Sequence, residues 1–202
     1  MAWDKLPEDS VIKETEKALN ENGIKAIVVE DGEEAKKKVL ELIPKGSQVM
    51  TATSTTVDQI NLSKTIDEGE DYDSTRKKIM SKDQSEMRTR LRRINAAVDY
   101  VVGSVHAVTE DGKVLVASNS GSQLPSYAFA AEKVVWVVGA QKIVKNVDEG
   151  IKRIYEYTLK LEDERMQKAY GMGSGVSKLL IINKEINPDR ITLILVKEKL
   201  GF

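Results

Sequence analysis

Two apolar periods alternate along the chain. Val11, Ile12, Thr15, Ala18 and Leu19 share one helical face, after Pro7, which suits a first turn, and before Asn22-Gly23, which ends it. IKAIVV, from Ile24 to Val29, then reads as a strand. Asp31 is placed to cap a second helix from Glu33 to Ile43, with Ala35, Val39, Leu40 and Ile43 inward and Pro44 and Gly46 as its stop. SQVMTA, from Ser47 to Ala52, is the next strand, and Thr53 to Thr56 turns the chain into a helix beginning near Val57.

The same alternation continues. Asp67 to Asp73 is acidic and unpatterned, as in a surface loop, and Ser74 can cap a long polar helix to about Ala97 with Met87, Leu91 and Ile94 inward. Asp99 to Val102 and Val105 to Thr109 are short strands. Asp111-Gly112 marks a hairpin turn, and Lys113 to Ser118 is the return strand. Pro125 to Glu132 reads as a short helix, and Lys133 to Val138 is apolar on both faces, as a central parallel strand must be. Val147 to Ala169 is a long charged helix with Ile151, Ile154, Thr158 and Leu161 inward. A glycine-rich run from Tyr170 to Gly175, either a lid or a plain turn, leads to strands at Leu179 to Ile182 and Ile191 to Val196. The pattern predicts one α/β domain over residues 1–202: a three-layer αβα sandwich with a mixed, mostly parallel central sheet and an inserted β-hairpin.

Composition narrows the chemistry. With 31 basic and 32 acidic residues the formal net charge is -1, so no general attraction to nucleic acid or anionic lipid is expected. Arg88, Arg90, Arg92 and Arg93 cluster, but acidic and apolar neighbours make a solvated helix face the plainer explanation. The chain has no cysteine and one histidine, which excludes thiolate chemistry, disulfides and Cys-ligated metal, and no metal site is expected. The N-terminal residues lack a basic-then-apolar signal pattern, and no apolar run nears the roughly 20 residues that cross a bilayer. A soluble cytoplasmic protein is the expectation. No cofactor is named by these residues, and oligomeric state stays undecided, a homo-oligomer included.

Polar residues gather at predicted strand ends, where α/β proteins bind ligands. Thr53, Ser54 and Thr55 lie between a strand and a helix, where backbone N–H groups and hydroxyls can hold an anion; one of them can equally be a plain helix cap. Glu110 has the chemistry of a nucleophile or general base, or of an exposed turn acid. His106 is either a neutral proton carrier facing a cleft or a core histidine with one hydrogen bond. Gly103 follows the DYVV strand. Ser118, Asn119, Ser120, Gly121, Ser122 and Gln123 offer dense hydrogen-bonding groups around a glycine that admits close approach, or simply a polar loop. Lys142, soon after the central strand, pairs with an anion or is solvated. A shared site requires that the threonine bend, the acidic hairpin tip and the serine–glutamine bend meet at one edge of one sheet.

Four runs, YDSTRKKIM (Tyr72 to Met80), DYVVGSVHAVTEDG (Asp99 to Gly112), VVWVVGAQKIV (Val134 to Val144) and the closing ITLILVKEKLGF, resemble the lactate-utilisation (LUD) domain family, in order and over most of the chain. The resemblance implies the superfold of ribose-phosphate isomerases, glucosamine-phosphate deaminases and CoA-transferases, and a link to bacterial L-lactate oxidation beside iron–sulfur subunits. It implies that the TATSTT segment, Thr51 to Thr56, is similar to the phosphate-binding turn of ribose-phosphate isomerases, and that Glu110 is similar in setting to the glutamate nucleophile of CoA-transferases. The chain departs from the family where Ser120 to Gln123 replaces a Gly-Thr-Gly-Asn-Arg-like segment, and where Tyr170 to Ser177 holds no cysteine. Two expectations follow: a site for a small anionic metabolite (carboxylate, phosphate or CoA-like) with Glu110 and His106 as its chemistry, or a non-catalytic accessory subunit of a lactate-oxidising complex.

Overall fold

A computed structural model describes residues 3–80 and 97–202. Its centre is a six-stranded sheet in the order β1-β10-β7-β4-β2-β3, made of β1 (Lys25–Val29), β2 (Gln48–Thr51), β3 (Asp73–Ser74), β4 (Tyr100–Gly103), β7 (Lys133–Gly139) and β10 (Ile191–Val196). Every pairing in it is parallel. The C-terminal ends of its strands therefore share one edge.

β7 shows how pattern becomes layer. Its successive side chains point to opposite faces. Val134, Trp136 and Val138 join a core with Ile12 and Leu19 of α1 (Asp9–Glu21). Val135 and Val137 join another core with Ala35 and Val39 of α2 (Gly32–Leu42). That second face also takes α3 (Thr55–Gln59) and α4 (Leu62–Glu68), through Val57, Leu62 and Ile66. Asp31 caps α2 as expected: its carboxylate accepts from the Glu34 N–H at 2.9 Å.

The three-layer α/β architecture holds, with a refinement. The hairpin β5 (Ala107–Thr109) and β6 (Val114–Ser118) adds no strand to the central sheet. It pairs with β8 (Ile143–Val144) and β9 (Lys178–Ile182) in a second sheet of order β8-β5-β6-β9. One face of that sheet packs on the central sheet through Val108, Val114 and Val116. The other carries Ala107, Leu115, Ala117 and Val144 against Ile154.

The long C-terminal helix is not continuous. It runs as α6 (Val147–Arg153), a π turn (Ile154–Thr158) and α7 (Leu159–Tyr170). The short helix before β7 is likewise a π turn, Ser126–Ala130. Ser74, expected as a helix cap, also closes the short edge strand β3; its hydroxyl accepts from Lys77 N–H at 3.3 Å ahead of α5 (Thr75–Met80). The predicted helix beyond that point and the arginines at 88, 90, 92 and 93 lie outside the described residues.

Candidate functional site at the strand C-termini

Four segments converge where the central strands end: the bend after β2 into α3, the Gly103–His106 crossing from β4 to β5, the 3-10 turn Ala140–Lys142 after β7, and the tail after β10. Gln141 ties the tail down. Its buried amide donates to Leu200 O at 2.8 Å, and its Oε1 accepts from Leu200 N–H at 3.4 Å. The tail in turn lies on Thr56, so closely that a Cβ at Gly201 (φ +64°) would stand 2.2 Å from Thr56 Oγ1. Only glycine fits there.

At the centre of this convergence is Lys142, whose residue is 2% exposed. Its Nζ donates to Thr56 Oγ1 at 2.8 Å, Ser104 Oγ at 3.1 Å and Val105 O at 3.2 Å. These partners come from two other strand ends. Among the described residues none of its partners is a carboxylate. Burial, helped by the charge of Arg153, lowers its pKa far below that of an ordinary lysine. A charge in such a place is costly until an opposite charge joins it.

A second buried cation stands nearby. Arg153, 0% exposed, donates through Nη1 to His106 O at 2.5 Å and to Thr158 Oγ1 at 3.0 Å, and through Nη2 to Trp3 O at 3.4 Å. Its guanidinium lies 5.3 Å from the centroid of the Tyr157 ring. Among the described residues its Nε has no hydrogen-bond partner, and neither has the buried Nε1 of Trp3. Burial lowers the Arg153 pKa to about 10, so it stays charged at neutral pH. Lys142 and Arg153 thus grip consecutive carbonyls, Val105 and His106, of one crossing segment.

His106 lies between them. Its Nδ1 accepts from the Ala117 N–H at 3.1 Å, which leaves the ring proton on Nε2. Although part of the residue reaches solvent, burial lowers its pKa to about 3, with Lys142 and Arg153 adding to the effect. The imidazole is neutral at physiological pH.

The expected site residues do not all meet. Glu110 is exposed at the opposite end of the hairpin, where its N–H donates to Val144 O at 2.9 Å. Next to it Asn22, at the end of α1, donates to the carbonyls of Asp111 (2.9 Å) and Gly112 (3.1 Å). The hairpin tip therefore sits beside the start of β1, away from the strand C-termini, and the three bends share no single edge. The separation follows from the strand itself, since residues before and after β5 must leave at opposite ends.

Ser118 leaves β6 at the end where His106 enters β5. The loop after it, however, satisfies much of its own polarity. Ser118 Oγ donates to Gln123 Oε1 at 3.0 Å and accepts from Gly121 N–H at 2.8 Å. Ser120 and Ser122 hydroxyls lie 3.2 Å apart, and Asn119 Oδ1 accepts from Ser177 at 3.0 Å. Ser54 caps α3, accepting from Val57 N–H at 3.4 Å, while Thr53 is exposed and Thr55 half-buried. Gly103 has a packing role: a Cβ there would lie 1.9 Å from the Tyr127 hydroxyl, whose ring stacks edge-on against Trp136. Among the described residues no three His, Asp or Glu side chains converge as metal ligands.

Three residues at this edge escape the sequence pattern. Thr56 continues the threonine run one position further, and its inward direction appears only once α3 is placed. Ser104 was visible only as the serine of a Gly-Ser step. Arg153 gave no signal, because a charged residue next to Lys152 reads as solvent-facing, yet it is buried beside the inward Ile154.

The chain is a parallel α/β domain with hydroxyl donors and two buried basic side chains at its strand C-termini, the edge where open α/β sheets commonly bind ligands. The LUD domain model matches residues 12–196, and the chain belongs to the LUD (lactate-utilisation) domain family. Among solved structures, a DUF162 family protein from Deinococcus radiodurans shares the fold: TM-score 0.58, 14% identity, 95% of this chain and 99% of that one. Ribose 5-phosphate isomerase A from Neisseria gonorrhoeae aligns at TM-score 0.34 and 14% identity, over 77% and 76% of the two chains. No curated protein matches the sequence. Among the described residues no helix is long and apolar enough to cross a membrane.

Proposed function

We propose that the edge around Lys142 binds a small anionic metabolite of organic-acid metabolism, a carboxylate or phosphate. The observation that supports this is the pair of buried basic side chains, Lys142 and Arg153, on adjacent carbonyls with no carboxylate partner among the described residues. A bound anion would be the counter-charge of Arg153 and of a Lys142 that takes up its proton. Thr56 and Ser104 would share its hydrogen bonds, and Thr55 and Ser118 flank the approach. Glu110 has no part in this site, being exposed at the far end of the hairpin.

Lys142 also gives the reading a proton signature. Burial favours its neutral amine in the free chain, and an anion reverses that preference. Anion binding should therefore take up a proton. Calorimetry with lactate, pyruvate and inorganic phosphate, in two buffers of different ionisation enthalpy, measures this uptake. Thermal shift gives the affinity, since a ligand at a hundredfold excess over Kd stabilises by about 2.7 kcal/mol. Lys142→Met should abolish both signals while the protein stays folded. Binding that survives this change unaltered would remove Lys142 from the site.

One observation favours a second reading, an accessory subunit. Among the described residues none of the 12 residues of α7 is fully buried, and those from Gln167 to Tyr170 are exposed, so the helix offers a flank to a partner. Size-exclusion with a purified iron–sulfur lactate-oxidation subunit tests this: co-elution that charge reversals on α7 abolish supports it.

A further inference from the structure

We propose that β9 is a dimerisation edge, where a second copy of this chain pairs antiparallel with it and joins the two four-stranded sheets into one. The proposal is independent of the anion site. The outer edges of the two sheets are unequal. β3 and β8 are only two residues long. β1 is blunted: Asn20 Oδ1 accepts from the Ala26 N–H at 3.1 Å, and Lys25 is exposed. β9 runs for five residues, KLLII, without proline, and among the described residues nothing pairs with its outer side. Proteins ordinarily guard such an edge with charge or proline, because its free N–H and C=O groups template another strand. The one charge of β9 does not guard it. The stem of Lys178 lies back over Gly121, where a Cβ would stand 2.6 Å from Lys178 Cδ.

The backbone points to the occupant. Leu115 O accepts from the His106 N–H at 2.9 Å and the Ala117 N–H donates to His106 Nδ1, so the odd residues of β6 face β5 and the even ones face β9. Val116 is registered with Leu180, which therefore bonds inward, while Leu179 and Ile181 turn their N–H and C=O groups outward. A copy related by a twofold axis at Leu180 sets Leu179 opposite its Ile181 and pairs every one of those groups. The same register puts Leu180 on Leu180 and Lys178 on Ile182, so no like charges face each other. Both cores continue across the axis. Leu180 and Ile182 end one of them partly exposed, and Leu179 and Ile181 end the other, whereas β6 beside them is buried from Val114 to Ala117. A strand pair alone is small beside the about 1,000 Å² that a specific interface needs. The flanks add apolar surface: Met172, 58% exposed, stands eight residues before Leu180, and Ile186, 94% exposed, six after it. The axis thus runs the flank with Met172 in one copy beside the flank with Ile186 in the other. Such self-matching of one patch is what a twofold interface requires, and a foreign strand gives no reason for it.

The test begins with light scattering on the full chain across the micromolar range, where the mass of two chains is expected. The chain has no cysteine, so Leu180→Cys introduces a single thiol at the axis. Residues facing each other in a non-hydrogen-bonded antiparallel pair have Cα atoms about 4.5 Å apart, within disulfide reach. Mild oxidation should therefore link this variant into covalent dimers. Leu179→Cys should stay unlinked, because its own mate is a diagonal neighbour roughly 7–8 Å away, beyond the span of a relaxed disulfide. Ile181→Pro removes an outward N–H and no bond to β6, so it should halve the mass while circular dichroism keeps the parent's signal. Should that variant fail to fold, the two thiol variants decide. A chain that is monomeric throughout the range overturns the proposal and leaves the edge to an extended segment of another protein. A dimer that a folded Ile181→Pro leaves whole, that Leu180→Cys does not link, or that both thiols link equally overturns β9 as its interface.

Discussion

The two ends of the β5–β6 hairpin solve the problem of polar groups in opposite ways. At the tip, Asp111 is satisfied by neighbours two residues away: it accepts from Thr109 Oγ1 and pairs with Lys113 Nζ at 2.6 Å. Lys113 and then Thr109 hold its carboxyl below the usual range, in an exposed turn where such pairs contribute little. At the open end, Lys142 reaches partners 86 and 38 residues away, and Arg153 reaches His106 across 47. Those groups are buried, and among the described residues neither has an acidic partner. Local, solvated satisfaction is the mark of a turn; distant, buried and uncompensated charge marks a place built for something else.

The strongest way to test that contrast is to break the tip. Gly112 has φ +79°, and a Cβ there would lie 2.5 to 2.7 Å from the backbone of Ala18 and Leu19 in α1. Gly112→Ala adds left-handed strain to a clash with backbone that cannot step aside, a cost of about 2–4 kcal/mol. Denaturant unfolding should show that loss. The change should leave anion-dependent proton uptake at Lys142 intact, because the tip serves only to dock the hairpin on α1. A loss of binding greater than the loss of stability explains would join the two ends functionally.

A smaller effect separates the ends by pH. The folded pKa of His106, about 3, lies below the unfolded value near 6.5, so the unfolded chain binds the extra proton between them. The stability at stake is fully present above about pH 6.5 and is lost as pH falls through the window toward 3, by at most about 1.4 kcal/mol per pH unit. His106→Asn keeps an acceptor for the Ala117 N–H but does not titrate there. Its stability gap to the parent should narrow as pH drops from 7 to 4.5. Parallel curves for the two proteins would mean that the ring meets solvent as readily as in the unfolded chain.

What was legible in the sequence follows the same division. The Asp31 cap, the Asp-Gly hairpin and the two-faced apolar β7 all rest on neighbours in the chain, and each was readable. The second sheet was not, because β8 and β9 join the hairpin from sequence positions far beyond it. Lys142 could be noticed, but its burial depends on a tail and two crossings that only the parallel topology assembles. Ile154 and Thr158 face inward as their spacing predicts, but Arg153 beside them sits among charged neighbours, and nothing in its spacing announces that it is buried too. At Ser118 to Gln123 the density of polar residues was readable, but not that several of them bond one another, Ser118 Oγ with Gln123 Oε1 and with the Gly121 N–H.

The smallest expected effect concerns Glu110, the residue whose chemistry looked most direct. Its side chain is exposed, and its only described backbone tie, from N–H to Val144 O, survives any side-chain change. Glu110→Gln removes the charge and keeps the shape. Surface changes of this sort stay within about 0.5 kcal/mol, and neither the anion affinity nor the proton uptake at Lys142 should move. The comparison with Lys142→Met, made on the same protein preparation, gives this null result its weight, since a working assay must detect the one and ignore the other. Should Glu110→Gln instead lower affinity or proton uptake severalfold, its carboxylate would have to approach the ligand from another copy of the chain, because within one copy the length of the hairpin holds it away.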